Sequence, residues 1–220
     1  MRPAPGWYGK LAALGDFASR RLDAGWVQGC DRWLAAGMQA LEQQGPDWLA
    51  NYLAAPLWRF VWAPGVVDAQ WWFGVLMPSC DGVGRYYPLV VAQARPRPPA
   101  DRWAFDHLDL WWSRVAHAAL QTLAEGATVE RFEDDLAQLP PWPAAAAASC
   151  RTIGGGRFET AAGAGAGDLA HALAEQALLQ RLDGASLWWP LREGSATCSL
   201  VAGLPGAAAL AAMLQGAGRA

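Results

Sequence analysis

The chain has 220 residues, 53% hydrophobic and 17% charged, a balance that supports a packed core and excludes a disordered chain. Its formal charge of −3 comes from scattered residues with no basic stripe, which argues against nucleic-acid binding, and no apolar run approaches the roughly 20 residues of a membrane span. The opening Met1-Arg2-Pro3-Ala4-Pro5-Gly6 lacks the apolar core of a signal peptide, so a soluble, cytoplasmic protein without membrane insertion is expected.

The first segment, Gly6 to Phe17, mixes glycines with isolated charges at Lys10 and Asp16, beside an N-terminal strand. From 22 to 44, Leu22, Trp26, Cys30, Trp33, Met38 and Leu41 recur at helical steps, and Gly45-Pro46 stops the helix. A short helix over about 47–54 precedes Pro56. Leu57 to Trp62 alternates as a strand does. Gln70 to Met77 is almost wholly apolar, as expected of a central strand covered on both faces. A second glycine-punctuated loop, Met77 to Leu89, leads into a strand at 89–94. Asp101 is the expected N-cap of a helix running to about 124, with Phe105, Leu108, Trp112, Val115, Ala119 and Leu123 as its buried stripe. Another helix covers 128–139.

Residues 140–167 read as a low-complexity connection rich in Pro, Ala and Gly. Asp168 then caps a helix to about 182. Leu187 to Trp189 and Thr197 to Ala202 form a hairpin across Arg192 to Ser195, and Pro205-Gly206 opens a last short helix. Short connections between 57 and 94 leave no room for helical crossovers, so the strands pair mainly antiparallel. The expected fold is α/β of the α+β kind: a three-layer α-β-α sandwich around a sheet of about five or six strands. The expected organisation is one domain over 1–220, with a motif-rich core at 6–139 and a C-terminal helix-hairpin-helix at 168–215.

The residues give little support to catalysis. Cys30, Cys80, Cys150 and Cys198 lie far apart, with no C-x-x-C spacing and only three histidines, so no metal is expected. Gly82-Val83-Gly84 is too short for a dinucleotide fingerprint, and Gly154-Gly155-Gly156 lacks the ending of a phosphate loop, so no cofactor is expected. Ser79 and Cys80 follow a strand in a glycine-rich loop, a position open to a nucleophile, but Pro78-Ser79-Cys80-Asp81-Gly82 is not Gly-x-Ser-x-Gly. Ser79 and Asp81 also suit turn chemistry, satisfying loop amides. Arg59 and Arg85 stand among apolar neighbours and need acidic or carbonyl partners. Asp16 and Asp81 are natural ones, and an Arg–Asp network would tie the first loop to the second. Some of the fourteen tryptophans are free to serve a partner surface, where this residue is enriched.

Two segments resemble the TagF (ImpM-like) family of type VI secretion system-associated proteins. The first is Gly6-Trp7-Tyr8-Gly9-Lys10-Leu11-Ala12-Ala13-Leu14-Gly15-Asp16-Phe17. The second is Gly74-Val75-Leu76-Met77-Pro78-Ser79-Cys80-Asp81-Gly82-Val83-Gly84-Arg85-Tyr86-Tyr87-Pro88-Leu89. Between them, Pro56-Leu57-Trp58-Arg59-Phe60 is similar to a family element, and so are Trp33-Leu34, Trp48, Ser186 to Trp189 and Gly203-Leu204-Pro205. Ala12 replaces the family's usual proline, and Leu14 stands where arginine is common.

The resemblance implies an α/β sandwich with some likeness to longin domains. It implies a cytosolic, non-enzymatic regulator that post-translationally represses assembly or firing of the type VI secretion apparatus. It also implies direct binding to the apparatus's Fha (forkhead-associated) scaffold protein. The motif residues Gly9, Lys10, Gly15, Asp16, Phe17, Trp58, Arg59, Pro78, Ser79, Asp81, Gly84, Arg85, Tyr86 and Pro88 are then the candidates for partner binding or for holding the loops. Two other readings stay open here: a small hydrolase centred on Ser79 or Cys80, and a structural accessory subunit of the apparatus.

Overall fold

The computed structural model describes residues 4–99, 102–142, 150–154, 157–160, 166–191 and 197–215. Two short strands, β1 (Gly6–Gly9) and β2 (Ala18–Arg20), open the chain, and the helices α1 (Ala24–Glu42) and α2 (Trp48–Leu53) follow. Three strands come next: β3 (Trp58–Trp62), β4 (Trp71–Met77) and β5 (Leu89–Arg95). Then come α3 (Arg102–Gln121), α4 (Val129–Ala137), and a ribbon of β6 (Cys150–Gly154) and β7 (Arg157–Thr160). The chain continues through α5 (Ala166–Leu182), β8 (Ala185–Pro190), β9 (Ser199–Ala202) and α6 (Ala207–Met213).

One seven-stranded sheet has the order β2-β1-β5-β4-β3-β8-β9, and every neighbouring pair is antiparallel. The α-β-α sandwich is therefore present, with one strand more than the upper expectation. The addition is β2, three residues at the sheet edge whose sequence, Ala-Ser-Arg, has no apolar alternation to betray it. Pairing with β1, Trp7 opposite Arg20, fixes it instead.

Alternation across the pleat divides the interior into two cores. Trp71, Phe73, Val75 and Met77 of β4 face one way with Val61, Leu89 and Val91, against α3 and α4. Trp72 and Leu76 face the other way with Phe60, Trp62, Val90 and Trp188, against α1, α2 and α6. All seven residues of β4 are buried, which explains its unbroken apolar run. Gly74 is needed there: a Cβ at this position would stand 2.1 Å from the Val91 carbonyl oxygen and 2.5 Å from the Phe60 ring.

Asp23 accepts from the Trp26 amide at 2.8 Å and caps α1. The α1 stripe is as expected at Trp26, Cys30, Met38 and Leu41, and it also buries Leu34. The α3 stripe needs correction. Leu108, Trp112, Val115 and Ala119 are buried, but Phe105 and Leu123 are exposed. Ala104 and Trp111 take the inward positions of the first half, and the helix ends at Gln121, before Leu123.

The stretch at 140–167 is not merely a connection, because β6 and β7 pair within it, Cys150 opposite Thr160. Asp168 lies inside α5, which begins at Ala166, so it is not a flanking cap. Asp101, Gly155, Gly156 and the Arg192 to Ser195 turn lie outside the described residues. The hairpin of β8 and β9 is present, and β8 joins β3 with Phe60 opposite Trp188, which returns the C-terminal part to the central sheet.

Candidate functional site

The two glycine-punctuated loops meet where β1 and β4 end. Gly9, at φ 137°, closes β1; a Cβ there would fall 2.1 Å from the Pro88 carbonyl oxygen, so the close approach of the two loops requires glycine. The turn out of Gly9 sends Lys10 inward, where it is only 4% exposed. Its Nζ donates to Asp81 Oδ2 at 2.6 Å.

Asp81 is the hub. Its buried carboxylate also accepts from the backbone amides of Val83 and Arg85, at 3.1 and 2.9 Å, and from Arg85 Nε at 2.7 Å. Burial alone would raise this carboxyl. The ammonium of Lys10, the guanidinium of Arg85 and the two amides outweigh that effect and hold it well below the usual carboxylate range. Gly84, at φ 81°, lets the chain turn around the carboxylate so that both amides point at it.

Backbone contacts lock the loops further. Ser79 Oγ donates to the Lys10 carbonyl at 2.8 Å. The Tyr52 hydroxyl accepts from the Ser79 amide at 2.8 Å and donates to the Ser79 carbonyl at 3.0 Å. The Gly82 amide donates to the Leu14 carbonyl at 2.7 Å. Arg85 reaches across with Nη2, donating to the Gly15 carbonyl and standing 3.9 Å from Asp16.

Aromatic rings close the remaining side. Phe17 lies over Lys10 Nζ, 4.8 Å from ring centre to nitrogen, and meets Tyr87 edge-on at 4.8 Å. The hydroxyls of Tyr8 and Tyr87 both donate to Asp31 on α1, at 2.5 and 2.8 Å. Burial first, then the Asp31 carboxylate, pushes both phenols up.

The structure thus brings Gly9, Lys10, Gly15, Asp16, Phe17, Ser79, Asp81, Gly84 and Arg85 into one assembly. Pro78 and Pro88 flank it, and Tyr86 packs edge-on to Tyr52 with centroids 6.3 Å apart. Trp58 and Arg59 are elsewhere. Trp58 Nε1 donates to the Met213 carbonyl of α6 at 2.9 Å. Arg59 points to the other face of the sheet, donates to Asp109 of α3 at 2.5 Å and stands over Trp112. Asp109, not Asp16 or Asp81, is therefore the partner of Arg59. Sequence reasoning missed Tyr52 and Asp31; the only signal for Asp31 was its place beside Cys30 on the buried stripe of α1.

The assembly is buried at its centre and open at its rim. Phe17 is 45% and Val83 69% exposed, and the side chains of Asp16 and Arg85 are largely solvent-facing. Among the described residues, no group of three or more His, Cys, Asp or Glu is placed to hold a metal ion, and no helix is long and apolar enough to cross a membrane. This geometry presents a rigid pair of loops on an α-β-α scaffold, with a mixed apolar and charged tip.

The fold and these loops define an α+β sandwich domain that carries two interlocked, glycine-punctuated loops. The chain belongs to the family of the TagF N-terminal domain, type VI secretion system-associated, whose model matches residues 6–139. It is also similar to the crystal structure of PA0076 from Pseudomonas aeruginosa PAO1, with 39% identity and a TM-score of 0.77. That similarity covers 99% of this chain and 96% of the other. No curated protein matches the chain.

Proposed function

We propose that this chain is a cytoplasmic, non-enzymatic repressor of type VI secretion assembly that acts post-translationally by binding the Fha scaffold protein. The family membership supplies the secretion context. The observation that carries the binding role is the rim itself: Asp16, Phe17, Val83 and Arg85 exposed on loops whose bases are fixed by buried bonds. A surface held this way loses little conformational entropy when a partner docks. A catalytic role for Ser79 has less support, because its hydroxyl is buried and donates to a backbone carbonyl, as a loop-fixing group does.

The test is recovery of partners with the full-length tagged chain from its native cytosol. Fha captured by the unaltered chain, and lost on Phe17→Ala and Val83→Ala together, is the expected result; absence of Fha counts against the reading. Deletion should release secretion and overexpression should block it. A structural subunit would give the opposite result on deletion, loss of secretion.

A further inference from the structure

On the opposite side of the sheet from α1, a groove of about 410 Å³ runs between α3 and α4. Its volume falls in the range of small-ligand sites, roughly 300–1,000 Å³. Its floor is apolar, formed by Leu110, Ala118, Leu139 and Pro140. Arg114 and His117 line it from α3, and Asp135 lines it from α4.

These three polar groups are exposed or half-buried. Among the described residues, none of their side chains takes part in a hydrogen bond or an ion pair, although a guanidinium and a carboxylate line the same groove. Arg114 and His117 are one helical turn apart and exposed, so they can converge on one anion. Leu110 is left 47% exposed in the same groove. A guanidinium, an imidazole and a carboxylate thus line one groove with an apolar floor, apart from the interlocked loops.

We propose that this groove binds a small zwitterion with an apolar body, such as an apolar dipeptide. Its carboxylate is taken by Arg114 and His117, its ammonium by Asp135, and its side chains lie on Leu110 and Leu139. A simple anion would leave Asp135 facing it unfavourably, and a simple cation would do the same with Arg114; a zwitterion satisfies both ends.

The test uses the full chain, isotope-labelled, titrated with leucyl-leucine into the millimolar range and followed by amide chemical shifts. Shifts should concentrate at Leu110, Ala118 and Leu139. Arg114→Ala should weaken binding by about tenfold or more, the loss expected for one charge-assisted hydrogen bond. Asp135→Asn should abolish the preference for leucyl-leucine over N-acetyl-leucyl-leucine, which keeps the carboxylate and lacks only the ammonium. Both substitutions are on exposed or half-buried surface, and unchanged thermal unfolding will show that the fold is intact. No shifts in the groove would overturn the proposal. So would equal binding of the capped and free dipeptides to the unaltered chain, or affinity unmoved by either substitution.

Discussion

Asp81 receives two cationic side chains and two backbone amides in a space closed to water, and this sets its acid behaviour. A carboxyl depressed in the folded state stabilises that state above its unfolded value of about 3.9, and the contribution is lost as pH falls through the depressed value. Asp81→Asn should therefore lower Tm at neutral pH, and the gap from the unaltered chain should narrow as pH drops below about 3.9. Thermal unfolding across a pH series reads both effects. Arg85 holds Asp81 with Nε and the Gly15 carbonyl with Nη2, a two-pronged reach that an ammonium cannot copy. Arg85→Lys should therefore behave like Arg85→Ala in releasing residues 15–17, seen as faster amide hydrogen exchange there. If exchange at those residues were unchanged in both variants, Arg85 would not be the tie between the loops.

At the scale of elements, β4 carries the greatest sensitivity. Gly74→Ala forces a methyl against the Val91 carbonyl and the Phe60 ring and should destabilise by about 3 kcal/mol, measured by denaturant unfolding. Asp23→Ala removes the α1 cap and should cost only about 1 kcal/mol in the same measurement. The sheet centre was legible because a strand buried on both faces must be apolar throughout, and Trp71 to Met77 is. The α1 stripe was legible for the same kind of reason, one face against one core. β2 was not, since three residues, none of them buried, gain their strand geometry from β1 alone. The inward face of α3 was only half legible: Phe105 is more apolar than Ala104, but close packing on the sheet selects the smaller residue. In the candidate site, glycines and isolated charges marked both loops. The ion pair of Lys10 and Asp81 was invisible, because it depends on the backbone direction at Gly9. The partner of Arg59 lies across the sheet on α3, and no sequence spacing reports that distance.

For the whole molecule, the seven-stranded sheet couples two cores that, among the described residues, share no helix. Trp26, Trp62 and Trp72 lie in one, and Trp111 and Trp112 lie in the other. Because β3, β4 and β5 contribute to both, loss of either face removes the support of the other. Unfolding should therefore show one transition, with tryptophan fluorescence and far-ultraviolet circular dichroism coinciding at each denaturant concentration. Separate midpoints would mean that the faces fold independently.

Lys10 is the only lysine in the chain. Sealed under Phe17 and bonded to Asp81, it is withheld from acylating reagents, cross-linkers and modifying enzymes that seek a side-chain amine. The folded surface thus offers such chemistry no lysine at all. The rate at which Lys10 is labelled becomes a direct gauge of how often the two loops part.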